Sequence, residues 1–344
     1  LNGSGTITYD LSDAKTGIFA SASSASYSGT SAAVAQATTV TVTDAINQAQ
    51  AAAINTTRSD LNEVTFDLND SSTNIFSGNA LANSTVVEKA ANVIITGNTN
   101  ATQATAVNTA RSDLNEVTFA TLLDTAAALG ANTTVVNAAL GRASAVTTTA
   151  AGSTAVQLNY IDASATPQVD AEAKTGVDGA IDAVLTATTD TSSFGINVDD
   201  DYTSTVSGDQ ASTLSSLNTL LGRTTGEVTA TIGSGTAAAI DTALSNGASG
   251  DALSITTDST TTTATVLNSL DGKTATAVDA DAITAITGAL GAGATMAGSS
   301  GLTLKSDYTF GATNTATTTA LVGNITTIGN DTTGTVTASI GSLS

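Results

Sequence analysis

The chain has 344 residues, no Cys and no His, and 30 acids against 9 bases, for a formal net charge of −21. Those counts exclude a disulfide framework and thiol chemistry, together with the Ser-His-Asp, Cys-His and zinc constellations. They also leave no basic stripe to neutralise phosphates or to lie on an anionic bilayer, so neither nucleic acid nor a membrane surface is an expected partner.

The apolar residues are small. Only 3% of the chain is aromatic while 41% is hydrophobic, which suits a thin core shared between stacked layers. Low charge density and recurrent Val, Ile and Leu runs set it apart from disordered chains. No stretch reaches the roughly 18 apolar residues of a membrane span. The start at Leu1, with neither Met nor a basic-then-apolar leader, reads as a mature or excerpted product.

Along the chain, residues 1–37 come first and read as a strand-rich cap or pairing arm, with strands expected at 5–11 and 17–20 in a Ser/Ala/Gly setting. From residue 38 a degenerate array begins. A thirteen-residue phrase at 54–66 returns at 107–119, an offset of 53, and residues 40–43 return at 93–96 with the same offset. The Leu-Asn phrase of Leu61 and Leu114 is followed through Leu158, Leu217 and Leu267 to Ile325, giving steps near fifty residues. Approximate units are 38–90, 91–135, 136–194, 195–250, 251–300 and 301–344. Such periodicity marks stacked units, each too small to bury its own apolar face.

Each unit follows one grammar. An alternating β-branched strand (40–43, 93–96, 196–198, 253–257, 302–304) precedes a short helix with apolar residues three and four apart, as in Leu214, Leu217, Leu220 and Leu221, or Val266, Leu267 and Leu270. Asp258-Ser259 and Asn314-Thr315 are expected N-caps, and Gly222, Gly272 and Gly329 expected left-handed C-caps. A second strand follows (64–66, 117–119, 228–232, 336–340), and in several units a second helix (179–185, 236–244). The helix due after 336–340 is missing, so a neighbouring subunit covers that end or the array continues. Strand-helix-strand-helix order points to parallel strands with crossovers. The expected fold is an elongated α/β solenoid-like array of units of about 50 residues. A pure β-solenoid is the alternative, because Thr abounds and is a poor interior helix former.

Chemistry is sparsely signalled. No catalytic or cofactor-binding residue stands out, there is no P-loop or dinucleotide fingerprint, and a paired-carboxylate hydrolase would lack aromatic walls. Calcium is the one ligand with a stated basis. Asp199, Asp200 and Asp201 follow a strand, and Asp279 with Asp281, Asp170 with Glu172, and Asp307 sit near strand-to-loop junctions, where clustered oxygens suit a hard cation. The competing reading makes them turn and cap residues. Asn-x-Ser/Thr sequons at Asn2, Asn55, Asn69, Asn83, Asn100, Asn132, Asn324 and Asn330 allow surface glycans. The repeated Arg58-Ser59-Asp60 and Arg111-Ser112-Asp113 read as a recurring helix-end ion pair or cap.

The phrases Leu-Asn-x-Leu, Thr-Thr-Gly-x-Val-Thr-Ala (224–230 and 332–338) and Thr-Ala-x-Ala-Ile-Asp-x-Ala-Leu (236–244) resemble degenerate repeats of very large secreted bacterial surface proteins, S-layer-like and adhesin-like, from marine cyanobacteria especially. The resemblance spans roughly residues 38–344 and implies an extracellular, cell-surface location. The expected function is a structural one: a subunit of a surface layer, sheath or filament that packs against copies of itself. An adhesin segment of a longer protein, or a phage or appendage fibre, is the alternative.

Overall fold

The computed structural model describes residues 8–59, 61–149, 152–189, 195–316 and 318–342. The chain is mixed α/β, with parallel strands in nearly every sheet. It forms two compact units, one built from Leu1–Ala151, Gln157–Ala173 and Asp190–Asn197, the second from Gly152–Val156, Lys174–Thr189 and Val198–Ser344.

In the first unit, Asp10–Asp13, Thr39–Val42 and Val64–Thr65 form one parallel sheet. A six-stranded parallel sheet runs Ile196–Asn197, Val169–Asp170, Val146–Thr148, Val117–Asp124, Val93–Thr99, Leu68–Ser71. In the second unit Ser204–Asp209, Val228–Ile232 and Ala252–Ile255 form one parallel sheet, and Thr261–Thr263, Ala285–Gly288, Thr309–Ala316 and Val336–Ile340 another.

The pairing register exposes the structural step. Val40 lies opposite Val64, Val93 opposite Val117, Ser204 opposite Val228, and Val278 opposite Leu302, each 24 residues on. One strand-plus-helix step of this register therefore takes about half of the fifty-residue period read from the sequence. The alternation that marks the strands is real. Val228, Ala230 and Ile232 are buried while Thr229 and Thr231 point outward. Parallel sheets usually bury both faces and read as unbroken apolar runs; here helices cover one face, and Thr, Ser and Asn occupy the other.

The expected strand positions hold to within a residue or two at 39–42, 196–197, 228–232, 252–255, 302–304 and 336–340. Helices fall at Leu214–Leu221, Ala237–Ala243 and Ala264–Asp271, and the helix expected at 179–185 starts two residues later, at Ile181–Ala187. The pure β alternative is set aside by these helices. Thr survives in them by back-bonding: the hydroxyls of Thr56, Thr105, Thr219, Thr242 and Thr295 each donate to the carbonyl four residues earlier.

Three local expectations need correction. Residues 17–20 are not a strand. Lys15–Ile18 makes one helical turn, closed by the Phe19 N–H on the Lys15 carbonyl, and turns Ile18 and Phe19 inward. Phe19 then stacks on Tyr27 with ring centroids 5.4 Å apart. Of the strand expected at 5–11, residues 5–7 lie outside the described set, Thr8 and Tyr9 are not in a strand, and only Asp10 and Leu11 fall within the observed strand Asp10–Asp13. That strand pairs in parallel with Thr39–Val42, so the strand-helix pattern already operates before residue 38.

The glycine C-caps also differ. Gly222 and Gly272 do stand at the C-caps of Leu214–Leu221 and Ala264–Asp271, but with φ of −88° and −70°, in the right-handed region, and Gly329 lies inside the helix Thr319–Asp331. Gly222 is small for a different reason: a Cβ there would come 2.7 Å from Asn246 Nδ2 of the next step. The left-handed caps are Ser59 and Ser112, at φ 67° and 68°.

Candidate functional site

Several polar side chains in this fold close the ends of neighbouring helices. The Arg58 Nη1 donates to the carbonyls of Val34 and Ala37 at 3.0 and 2.7 Å, at the end of the helix Ser31–Gln36. Arg111 repeats this on Val87 and Ala90 at 2.9 and 2.6 Å. Arg223 donates to the Leu185 carbonyl at 2.6 Å. Lys273 reaches the Asp241 carbonyl and its carboxylate, the latter at 2.5 Å. A helix leaves its last four carbonyls unpaired and carries negative partial charge there, so a cation is well placed. The expected helix-end cap is thus found, but on the preceding helix. Asp113 bonds instead to Asn115, and Asp60 lies outside the described residues.

The amino ends are closed in the same cross-step manner. Asp70 accepts from the Gln48 N–H at 2.9 Å, Asp124 from Ala101 at 3.2 Å, Ser259 from Ala237 at 2.9 Å and Asn314 from Leu290 at 2.8 Å. Ser259 and Asn314 are therefore cap acceptors, as expected of them, yet for the helix one step earlier. The helices that follow them are capped by Thr263 and Thr318. The intervening strands Thr261–Thr263 and Thr309–Ala316 push each helix start further along the chain. Sequence reading missed the capping boxes Asn47/Gln50 and Asn100/Gln103. Their signal was present: an Asn-x-x-Gln repeated at the same offset of 53, just ahead of an Ala-rich stretch.

The repeated phrases have structural roles of the same kind. Leu158, Leu217 and Leu267 are fully buried mid-helix residues, whereas Leu61 and Leu114 lie in the loop before a strand, so the Leu-Asn phrase joins two different positions. Asn218 accepts from the Asn246 N–H, and Asn268 donates to the Ala292 carbonyl, each one step on. In Thr-Thr-Gly, the first hydroxyl reaches back one step: Thr332 donates to the Tyr308 carbonyl at 2.6 Å and accepts from Gly334 N–H at 2.9 Å. Thr224 makes the same pair of bonds to Tyr202 and Gly226.

The candidate calcium ligands do not gather around one point. Among the described residues no group of three or more acids is arranged to hold a metal ion. Asp199 accepts from the Asp200 N–H, and Asp279 from the Asp281 N–H, as short turns do. Asp200 contributes its carbonyl to the Thr225 N–H, and Asp201 is exposed. Asp170 accepts from the Glu172 N–H, and Asp307 pairs with Lys305 at 2.7 Å, which holds its carboxyl below the usual carboxylate range. Of the sequons, Asn83 and Asn100 are helix caps and Asn132 accepts from the Tyr160 hydroxyl; Asn2 lies outside the described residues.

Open depressions mark the first unit. One of about 670 Å³ is lined by Asn108, Asp113, Asn115, Asn137 and Arg142. A second, about 720 Å³, lies between Ser72, Thr73, Phe76 and Asn98, Gln103. A third, about 250 Å³, brings Asp67 and Glu116 into one lining, with Asp67 already accepting from Asn92. All are shallow.

In the second unit Thr261–Thr263 and Val336–Ile340 are the two edge strands of one sheet. Leu321, Val322, Ile325, Val336 and Ala338 are only partly buried, and Ile340 is 63% exposed. One step earlier Ile286, Leu290 and Met296 are at most 1% exposed. Among the described residues no helix is long and apolar enough to cross a membrane. Comparison with protein-family models, curated proteins and solved structures finds no match for this chain.

Proposed function

We propose that this chain is an extracellular structural protein, an α/β solenoid-like stack whose units self-associate into a surface layer, sheath or filament. Four observations support the stack reading: the 24-residue pairing step, the parallel strands, the helix ends closed from adjacent steps, and the Thr hydroxyls bonded one step back. In such a design polar groups serve as joints between steps, as Arg58, Arg111 and Thr332 do, and these groups have structural partners. We therefore read it as a non-enzyme.

The single observation that carries this reading is the constant register, with parallel strand partners 24 residues apart at Val40 and Val64, Val93 and Val117, Ser204 and Val228, and Val278 and Leu302. Units stacked in this way hide apolar surface against neighbouring units, a design suited to packing against further copies. The sequence resemblance to secreted bacterial surface proteins supports the location. Calcium and glycans remain accessory proposals, the first at Asp199, Asp200, Asp201, Asp279 and Asp281.

Negative-stain microscopy of purified chain, with and without chelator, tests this. Sheets or filaments are expected. Monodisperse rods indifferent to concentration would overturn it in favour of an adhesin segment, and a trimeric mass would favour a fibre. Assembly lost on chelation would support the calcium proposal.

A further inference from the structure

Arg142 stands apart from the other arginines. Arg58, Arg111 and Arg223 each spend their guanidinium on carbonyls of a preceding helix end. Arg142 bonds Asn115 instead, through its carbonyl and, at 3.2 Å, its Oδ1. The residue 53 positions earlier, Lys89, is neutralised by Glu88 at 3.2 Å. Among the described residues no carboxylate pairs with Arg142, and it lines the open depression of about 670 Å³.

That depression is a groove between the helices Ala101–Arg111 and Thr134–Leu140. Asn108 and Ser112, four residues apart, share one face at the end of the first helix, as Thr134 and the small Ala138 do on the second. Among the described residues the side chains of Asn108, Ser112 and Thr134 have no hydrogen-bond partner. Asp113 accepts from the Asn115 N–H and Nδ2, both at 3.1 Å, and each of its oxygens keeps a further lone pair. Arg142 likewise keeps donors beyond the two bonds it makes.

We infer that this groove binds a saccharide through its ring hydroxyls. The free groups mix donors and acceptors on one small surface: a carboxamide, two hydroxyls, a carboxylate and a guanidinium. A hydroxyl is donor and acceptor at once, and neighbouring hydroxyls match the paired coplanar polar atoms of Asn108, Asp113 and Arg142. A simple anion would bring acceptors alone and meet Asp113. A simple cation would bring donors alone and meet Arg142. A zwitterion would use both charges, but ion pairs open to solvent contribute little. The volume falls in the range of about 300–1,000 Å³ usual for small-molecule sites. The other depressions of this unit lack the combination. The one at Ser72 has no charged lining, and its Gln103 amide already donates to the Gly78 carbonyl. The one at Asp67 and Glu116 has acids without a base. This site is independent of self-association, so neither reading falls with the other.

The test titrates the full, isotope-labelled chain with the methyl glycosides of glucose, galactose and mannose, and in parallel with glycine and with acetate. At least one glycoside is expected to shift the NMR signals of the Asn108 side-chain amide and the Arg142 Nε–H saturably, with a Kd of about 1–10 mM. Asn108→Leu and Arg142→Met are each expected to raise that Kd at least about tenfold. Asn55→Leu, the same change 53 residues earlier, is expected to leave it unchanged. Asn108→Leu removes no hydrogen bond of the fold, so it reports on binding even where Arg142→Met unfolds the chain, as circular dichroism would show. Absence of a saturable shift with every glycoside would overturn the proposal. So would shifts confined to residues outside the groove, saturation by glycine or acetate in place of the glycosides, or an affinity indifferent to Asn108→Leu.

Discussion

Arg58 closes a helix to which it does not belong: its Nη1 lies 2.7 Å from the carbonyl oxygen of Ala37, one step earlier in the chain. Arg111 stands in the same relation to Ala90 at 2.6 Å. The shared offset of 53 residues covers both the donors and the helix ends that receive them, so the repeat encodes a joint between steps.

Removing that joint should be costly. Arg58→Met keeps the alkyl stem but strips donors from at least two half-buried carbonyls. Hydrogen bonds from charged groups contribute about 1.5–3 kcal/mol, and orphaned acceptors add their desolvation cost. Urea unfolding is expected to show a loss of about 2 kcal/mol for Arg58→Met or Arg111→Met. Lys at either site should recover only part of this, because an ammonium lacks the planar fork that serves two or three carbonyls together. Equal stability of Met and Arg variants would show these contacts to be idle.

Asn314 makes a prediction about place rather than size. Its Oδ1 accepts from the Leu290 N–H at 2.8 Å, while the helix directly after it is capped by Thr318. Asn314→Ala is therefore expected to cost about 0.5–2 kcal/mol, the usual range for a lost N-cap. Hydrogen exchange should quicken at the first turn of Leu290–Ala297 and stay unchanged at the start of Thr319–Asp331. Faster exchange at the second site alone would refute the cross-step cap.

These cross-step bonds mark the boundary of what the sequence discloses. Strands with clean period-two alternation, such as Val228–Ile232 and Val336–Ile340, are legible because every second residue must enter a core. The first copy of the 53-residue repeat is not. Val34 and Ala37 answer Val87 and Ala90, but Ala, Ser and Gly surround the first pair. Gly222 and Gly272 do mark helix stops, but in the right-handed region, and the left-handed caps are Ser59 and Ser112, a conformation that sequence assigns first to Gly. The cross-step partners themselves were illegible for a further reason: a bond such as Arg58 to Ala37 joins residues 21 apart, which no local pattern marks.

Glycine substitutions separate close packing from chain entropy. A Cβ at Gly226 would overlap the carbonyl oxygens of Asp201 and Tyr202, and one at Gly334 those of Asp307 and Tyr308. Gly323, inside the helix Thr319–Asp331, would meet nothing within 4 Å. Ala at Gly226 or Gly334 is expected to destabilise by about 1–3 kcal/mol, the cost of overpacking. Gly323→Ala should stabilise by about 0.5–1 kcal/mol, since Gly loses more freedom than Ala on entering a helix. Melting temperatures of the three variants should move in opposite directions; a common sign would contradict the packing account.

Alkali should unfold the chain through its tyrosines. Burial raises the phenol pKa of Tyr27, partly offset by the Thr57 hydroxyl, and burial likewise raises that of Tyr202. Tyr308 is pushed up furthest, first by burial and then by the Asp331 carboxylate, to which its hydroxyl donates a hydrogen bond. A phenol whose folded pKa lies above its unfolded value of 10.0 binds a proton more tightly when folded. Its contribution is complete below pH 10.0 and is lost as the pH climbs from there toward the folded pKa. Urea midpoints are therefore expected to fall steeply above that pH, with phenolate absorbance appearing together with unfolding. Tyr308→Phe should cost about 1 kcal/mol near neutrality, the net value of one hydrogen bond, and should flatten the alkaline slope. An unchanged slope in that variant would remove Tyr308 from the linkage.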